Sequence, residues 1–319
     1  MAHATTGIPP ALARALRREI GALSREIGRA RRGEPDGVHR ARVASRRLRE
    51  YMPIIDAITG VDRRSLERDV RRVTRALGGV REMDVARDVL AGVAASARWR
   101  PAVITRVDRL AARARDRRVK SMTRRLAAPV IDALLTQLRG VLAATSPASR
   151  RRAAGSVVIA RLRQRASVFM RALDAAGTLY AVEPLHRVRI AAKKLRYVLE
   201  LARPAAGLGA GREIRIIREV QVRLGEIHDL QVLQDRVQAA ASEASPDRAT
   251  SRQLADLDHF LETRCRELHA KVLKPAVRAR ELAGRLPSDL ALRLVERRRA
   301  RMARMTAAPP LPTAAGGPR

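Results

Sequence analysis

Apolar residues recur at spacings of three and four along nearly the whole chain, and Ala, Leu, Arg and Glu fill the long segments between breakers. That period belongs to an amphipathic helix with one buried face. Alternating β-branched runs, the mark of strands, do not occur. Breakers divide the chain into twelve predicted helices, near 9–32, 36–58, 62–77, 82–98, 102–127, 129–144, 148–176, 182–203, 210–224, 228–244, 247–284 and 287–305. The expected fold class is all-α. The final stretch, TAAPPLPTAAGGPR (306–319), is rich in Pro, Gly and Ala without helical period and is expected to be disordered.

Part of the pattern occurs twice. VHRARVASRRLR (38–49) and LHRVRIAAKKLR (185–196) lie 147 positions apart, and at the same offset LGGVREMDV (77–85) falls on LGEIHDLQV (224–232). Leu77 and Leu224, Gly78 and Gly225, and Val85 and Val232 are identical. Arg14 and Arg18 fall on Arg161 and Arg165, Arg71 on Arg218, Arg117 on Arg264, and Arg124 on Lys271. One gapless offset over so many positions predicts internally duplicated helical bundles, with halves at about 9–145 and 156–292. The domain is expected to span 9–292, with 293–305 as the end of a C-terminal helix.

Each copy of the first motif has a core face and a cationic edge. At 100° per residue, His39, Arg42, Arg46 and Arg49 fall within an arc of about 80°, opposite Ala41, Ala44, Leu48, Tyr51, Met52 and Ile55. The second copy places His186, Arg189, Lys193 and Arg196 opposite Val188, Ala191, Leu195 and Leu199. Arg47 and Lys194 flank the apolar faces. A solvated helix face normally intersperses glutamates at i±4 to relieve repulsion. Neither twelve-residue stretch holds an acid, so the stripes fit a site whose missing charge comes from a bound polyanion.

Charge strengthens this reading. The chain has 66 basic residues against 32 acidic ones, a formal net charge of +34. Such a chain repels itself unless an acidic partner neutralises part of it. Only five of the basic residues are lysines, and the arginine fork binds phosphate bidentately where lysine acts as a point charge. Aromatics are few: Trp99, three tyrosines and two phenylalanines. That leaves little from which to build the stacking platforms of single-strand nucleic-acid readers. The lone Cys265 excludes a disulfide framework and suits a reducing compartment. With neither an apolar signal core nor a run of transmembrane length, a cytoplasmic protein with no membrane partner is expected.

HRARVASRRLR and HRVRIAAKKLR resemble the signature of the conserved histidine α-helical domain (CHAD) family, and the two LG-x-x-[RH]-[ED]-x-[DQ]-V segments resemble its second motif. The resemblance covers about 9–285. It implies two four-helix bundles related by a pseudo-twofold axis, with the basic helices lining a central groove. It also implies a non-enzymatic module that binds inorganic polyphosphate, in some members at polyphosphate granules. Carried over by motif, His39, Arg42, Arg46, Arg49, His186, Arg189, Lys193 and Arg196 would face the ligand. The strand-rich ExExK sequence of the triphosphate-tunnel domain, to which other members are fused, is missing here. The chain departs from the family in having Glu82 where an aspartate is expected, His228 in the place of Arg81, and Lys193–Lys194 for the pair Arg46–Arg47.

Several further residues are candidates of lower rank. Arg18, Arg47, Arg117, Arg124, Arg165, Lys194, Arg264 and Lys271 could extend the groove. Glu82, Asp84, Glu226 and Asp229 follow glycines expected to end a helix, where acids complement the next helix's N-terminus or pair with the arginines. A Mg²⁺ site for phosphoryl transfer would need a P-loop, a kinase-type glycine loop or a dense acidic cluster, all absent from the sequence. Six histidines form no HxxxH or HExxH pair, and a convergence of His39, His186 and His228 would meet arginines that repel a divalent cation. Neither metal nor cofactor is therefore expected. Two alternatives to a polyphosphate binder stay open: a non-specific nucleic-acid-binding protein, which the net charge alone would predict, and a polyphosphate-metabolising enzyme.

Overall fold

A computed structural model describes residues 8–96, 98–143, 151–243 and 246–306. Among these residues the chain forms nine α-helices and no strand: α1 (Pro10–Arg31), α2 (Pro35–Thr59), α3 (Arg64–Ala94), α4 (Pro101–Arg125), α5 (Ala128–Ala143), α6 (Arg151–Ala176), α7 (Val182–Ala206), α8 (Gly211–Ser242) and α9 (Arg248–Thr306). Pro10, Pro35 and Pro101 open α1, α2 and α4. Proline has the helical φ built in, and its missing N–H is one the first turn leaves unpaired anyway. At the other end, α2 and α7 stop on Gly60 (φ 72°) and Gly207 (φ 73°), whose left-handed backbone a Cβ would disfavour.

Helix limits recur at the offset of the sequence repeat. Helices α2 and α7 start at 35 and 182 and end at 59 and 206, each 147 residues apart; α3 and α8 start at 64 and 211, and α4 and α9 at 101 and 248. The halves differ after that point. A break at Leu126–Ala127 separates α4 from α5, whereas α9 continues for 59 residues through Pro275 and Pro287.

Three predicted helix breaks are absent. Helix α3 runs unbroken through Gly78 and Gly79, α8 through Gly225, and α9 across 285–286. A mid-helix glycine costs only about 1 kcal/mol, and buried Leu77, Val80 and Met83 on α3 and Leu224 and Ile227 on α8 hold the helices together across it. The expected capping role of Glu82, Asp84, Glu226 and Asp229 is thereby corrected, because all four stand in helix interiors. Asp84 is buried and accepts a 2.6 Å bond from Arg115 Nε. Of the segment 306–319, only Thr306 lies within the described residues, as the last residue of α9.

Within the first half α1 packs on α2, α2 on α3 and α3 on α4; within the second, α6 packs on α7 and α9, and α8 on α7 and α9. The halves meet mainly through α3 and α8, with α2 against α6 and α7. One hydrophobic core runs through both, from Leu12, Leu48 and Met52 to Phe169, Leu195 and Leu286. A second cluster joins Leu90, Trp99 and Val103 to Leu233, Val237 and Leu257. The two halves therefore form one packed unit, with the α2 and α7 edges held facing each other.

Candidate functional site

On α2, Val38, Ala41, Ala44, Leu48 and Met52 are buried, as are Leu185, Val188, Ala191, Leu195 and Val198 on α7. Burying these faces turns the cationic edges towards the seam where α2, α3, α7 and α8 converge. A cleft of about 200 Å³ opens there, lined by His39, Arg42, Val43 and Arg46 of α2, Arg81, Glu82 and Val85 of α3, Arg189 and Lys193 of α7, and His228, Asp229 and Val232 of α8. Ten of the twelve lining residues form pairs at the repeat offset: Arg42 with Arg189, Arg46 with Lys193, Arg81 with His228, Glu82 with Asp229, and Val85 with Val232. Four arginines and Lys193 thus face two carboxylates.

Burial and mutual repulsion leave their mark on the charged groups. Burial, then Arg189, Arg46 and Arg42, drive the Lys193 ammonium down to about 6. Burial, then Arg189 and His186, push His228 to about 3. Arg42 falls to about 9 and Arg189 to about 10, with burial the leading cause in each. The imidazoles of His39 and His186 lie below their ordinary value, again mainly through burial. Burial also raises the Asp229 carboxyl, against the pull of Arg189 and Lys193. A solvated charged face would show none of these shifts.

Hydrogen bonds hold part of the cleft in place. Arg42 Nη1 donates to the Thr74 carbonyl at 3.0 Å. The buried Nε of Arg189 has no hydrogen-bond partner among the described residues. The His186 ring lies beside that of His228, with centroids 5.2 Å apart.

Of the eight principal sequence candidates, His39, Arg42, Arg46, Arg189 and Lys193 line the cleft, and His186 adjoins it through His228. Arg49 and Arg196 do not line it. Arg196 donates from Nε to Gln221 at 2.6 Å, pairs with Glu200 and stacks over Tyr197, while Arg49 stands 3.9 Å from buried Glu50. Arg81, Glu82, His228 and Asp229 complete the cleft; none is among the eight principal candidates, although the sequence allows His228 to converge with His39 and His186, and it does meet His186. The signal that could have found them is the offset itself, which pairs Arg81 with His228 and Glu82 with Asp229.

The lower-ranked candidates are dispersed. Arg18 and Arg47 pair with Glu19, and Arg47 also with Glu200 at 3.5 Å. Arg165 pairs with Glu50 at 2.7 Å, and Lys194 lies within the field of Arg165, Glu50, Arg49 and Arg71, its pKa lowered chiefly by burial. Arg117, Arg124 and Lys271 are exposed, and exposed Arg264 pairs with Glu267. Among the described residues no group of three or more His, Cys, Asp or Glu could hold a metal ion, and no single helix is long and apolar enough to cross a membrane.

An all-α fold carrying two copies of a histidine-led basic motif defines a recognisable class of helical domain. The chain belongs to the CHAD domain family, whose model matches residues 14–238. Its fold is similar to the crystal structure of the CHAD domain from the plant Ricinus communis, with 20% identity, 86% of this chain and 94% of that one covered, and a TM-score of 0.60. It is likewise similar to PptA from Streptomyces chartreusis, with 16% identity, coverage of 84% and 98%, and a TM-score of 0.64. No curated protein matches the sequence.

Proposed function

We propose that this protein binds inorganic polyphosphate in the α2–α3–α7–α8 cleft, as a binding module and not as an enzyme. The observation that carries the reading is the uncompensated charge: Arg42, Arg46, Arg81 and Arg189 against Glu82 and Asp229, around a Lys193 whose pKa is lowered to about 6 by burial and then by Arg189, Arg46 and Arg42. A linear phosphate chain has closely spaced negative charge and no bases. It would relieve the repulsion and accept bonds from guanidinium forks on both sides. Membership of the CHAD family supports the same reading. Action in the cytoplasm, at polyphosphate granules, is part of the proposal.

Nucleic acid is the competing polyanion, favoured by the net charge of +34. Against it stands the placement of the aromatics: four of the six, Trp99, Phe169, Tyr51 and Tyr197, are buried and offer no stacking surface for bases, and the half-buried Tyr180 and Phe260 lie outside the cleft lining. The deciding experiment is a competition titration at physiological salt. Labelled long-chain polyphosphate bound to the protein is challenged with duplex DNA, single-stranded RNA, ATP and tripolyphosphate at matched phosphate concentration. Displacement by unlabelled polyphosphate alone supports the proposal; equal displacement by DNA or RNA moves the assignment to nucleic acid. Turnover of the bound chain would make the protein an enzyme.

A further inference from the structure

Gly78 and Gly225 occupy equivalent positions in the repeat, both inside unbroken helices where neither makes a turn. Alanine would stabilise such a position by about 1 kcal/mol, so each glycine calls for a reason. Nothing lies within 4 Å of a Cβ built on Gly225. A Cβ on Gly78 would collide with the guanidinium of Arg42, which crosses that point of α3 to donate to the Thr74 carbonyl at 3.0 Å.

The surrounding polar seam is also one-sided. Ser45 Oγ donates to the Arg42 carbonyl at 3.0 Å, and Thr74 Oγ1 lies 3.0 Å from Ser45 Oγ and 2.9 Å from the Val70 carbonyl. At the repeat offset Ser45 becomes Ala192 and Thr74 becomes Gln221, which is taken up by Arg196. Arg189, the counterpart of Arg42, keeps a buried Nε without a partner among the described residues.

We propose that Gly78 and the Thr74 carbonyl form a positioning device that presets the Arg42 guanidinium in the cleft, so that the pseudo-symmetric site grips its ligand unequally. The α2 side offers an arginine already fixed in place. The α7 side offers Arg189, whose guanidinium is not tied to a backbone carbonyl and whose buried Nε–H, without a partner among the described residues, must shift to meet a phosphate oxygen. This inference rests on the polyphosphate reading above. Gly78 touches no ligand and acts through Arg42.

The test is Gly78→Ala beside Gly225→Ala. The atom that the new methyl meets is the end of a flexible side chain, so Gly78→Ala keeps its fold, which a thermal melt verifies. Titration with long-chain polyphosphate is expected to show about a tenfold loss for Gly78→Ala, the scale of one charged hydrogen bond. Arg42→Ala should show a similar loss, and the double variant no further one. Gly225→Ala should bind as wild type. Wild-type affinity in Gly78→Ala, or equal losses in both glycine variants, overturns the inference. A second readout needs no ligand: nitrogen-15 NMR of arginine side chains should show restricted rotation of the Arg42 guanidinium in the wild type and free rotation in Gly78→Ala. If wild-type protein fails to bind polyphosphate, the functional reading fails, and the NMR comparison alone decides whether Gly78 positions Arg42.

Discussion

Arg165 of α6 donates to Glu50 of α2 at 2.7 Å, and Glu50 is only 3% exposed, so this ion pair bridges the two halves inside packed structure. Arg161 and Arg49 stand 3.8 and 3.9 Å from the same carboxylate. Removing Glu50 would leave Arg165, Arg161 and Arg49 close together with only the weaker field of Glu67 to offset them. Glu50→Ala is expected to lose about 3–5 kcal/mol of stability, the cost of breaking a buried pair. Denaturant unfolding with two spectroscopic probes measures it, and a loss under 1 kcal/mol would show the cluster to be solvated.

Lys193 shows the opposite behaviour. Its neighbours are Arg189 on its own helix, Arg42 and Arg46 on α2 and Asp229 on α8, and its pKa falls from 10.5 to about 6. In the free protein between about pH 6 and 10.5 the unfolded state binds the extra proton, so this group makes stability rise with pH, by at most about 1.4 kcal/mol per unit. The contribution is lost as pH falls through 6. Lys193→Met should raise the Tm at pH 7 and flatten its rise between pH 6 and 8, while weakening polyphosphate binding. A lowered Tm would contradict the repulsion on which the cleft is argued.

Binding should be coupled to protons. A phosphate chain in the cleft adds negative charge beside Lys193, His186 and His228, raising pKa values that burial and then Arg189 lower. Protons are therefore taken up on binding near pH 7, and affinity falls as pH rises from 6 to 8. Calorimetry in two buffers of different ionisation enthalpy measures the uptake directly. Identical apparent enthalpies in both would rule the coupling out.

Charge reversal separates a site from a diffuse field. Arg42→Glu with Arg189→Glu should abolish polyphosphate binding, whereas Arg117→Glu with Arg124→Glu, exposed and outside the cleft lining, should weaken it less than threefold. For the wild type, neutralising about five phosphates predicts a slope of roughly −3 to −4 in log K against log salt. Equal losses in the two double variants would assign binding to overall charge.

The helical class, the repeat offset and the cationic edge of each repeated helix are legible in the residue order, because they follow from local periodicity. Pro35 and Gly60, with Gly207 at the repeat offset, even mark three limits of α2 and α7. The residue order presents Gly78 and Gly225 as helix ends, since a glycine's intrinsic cost says nothing about the buried neighbours that offset it. Which cations meet is set by the packing of the helices. Arg42 and Arg189 face one cleft and Arg196 turns away to Gln221 and Glu200, although all three lie on the cationic edges of the repeated helices. Periodicity gives the direction in which a side chain leaves its own helix. What it meets depends on how α2, α3, α7 and α8 pack, and that packing brought Arg81, Glu82, His228 and Asp229 into the site.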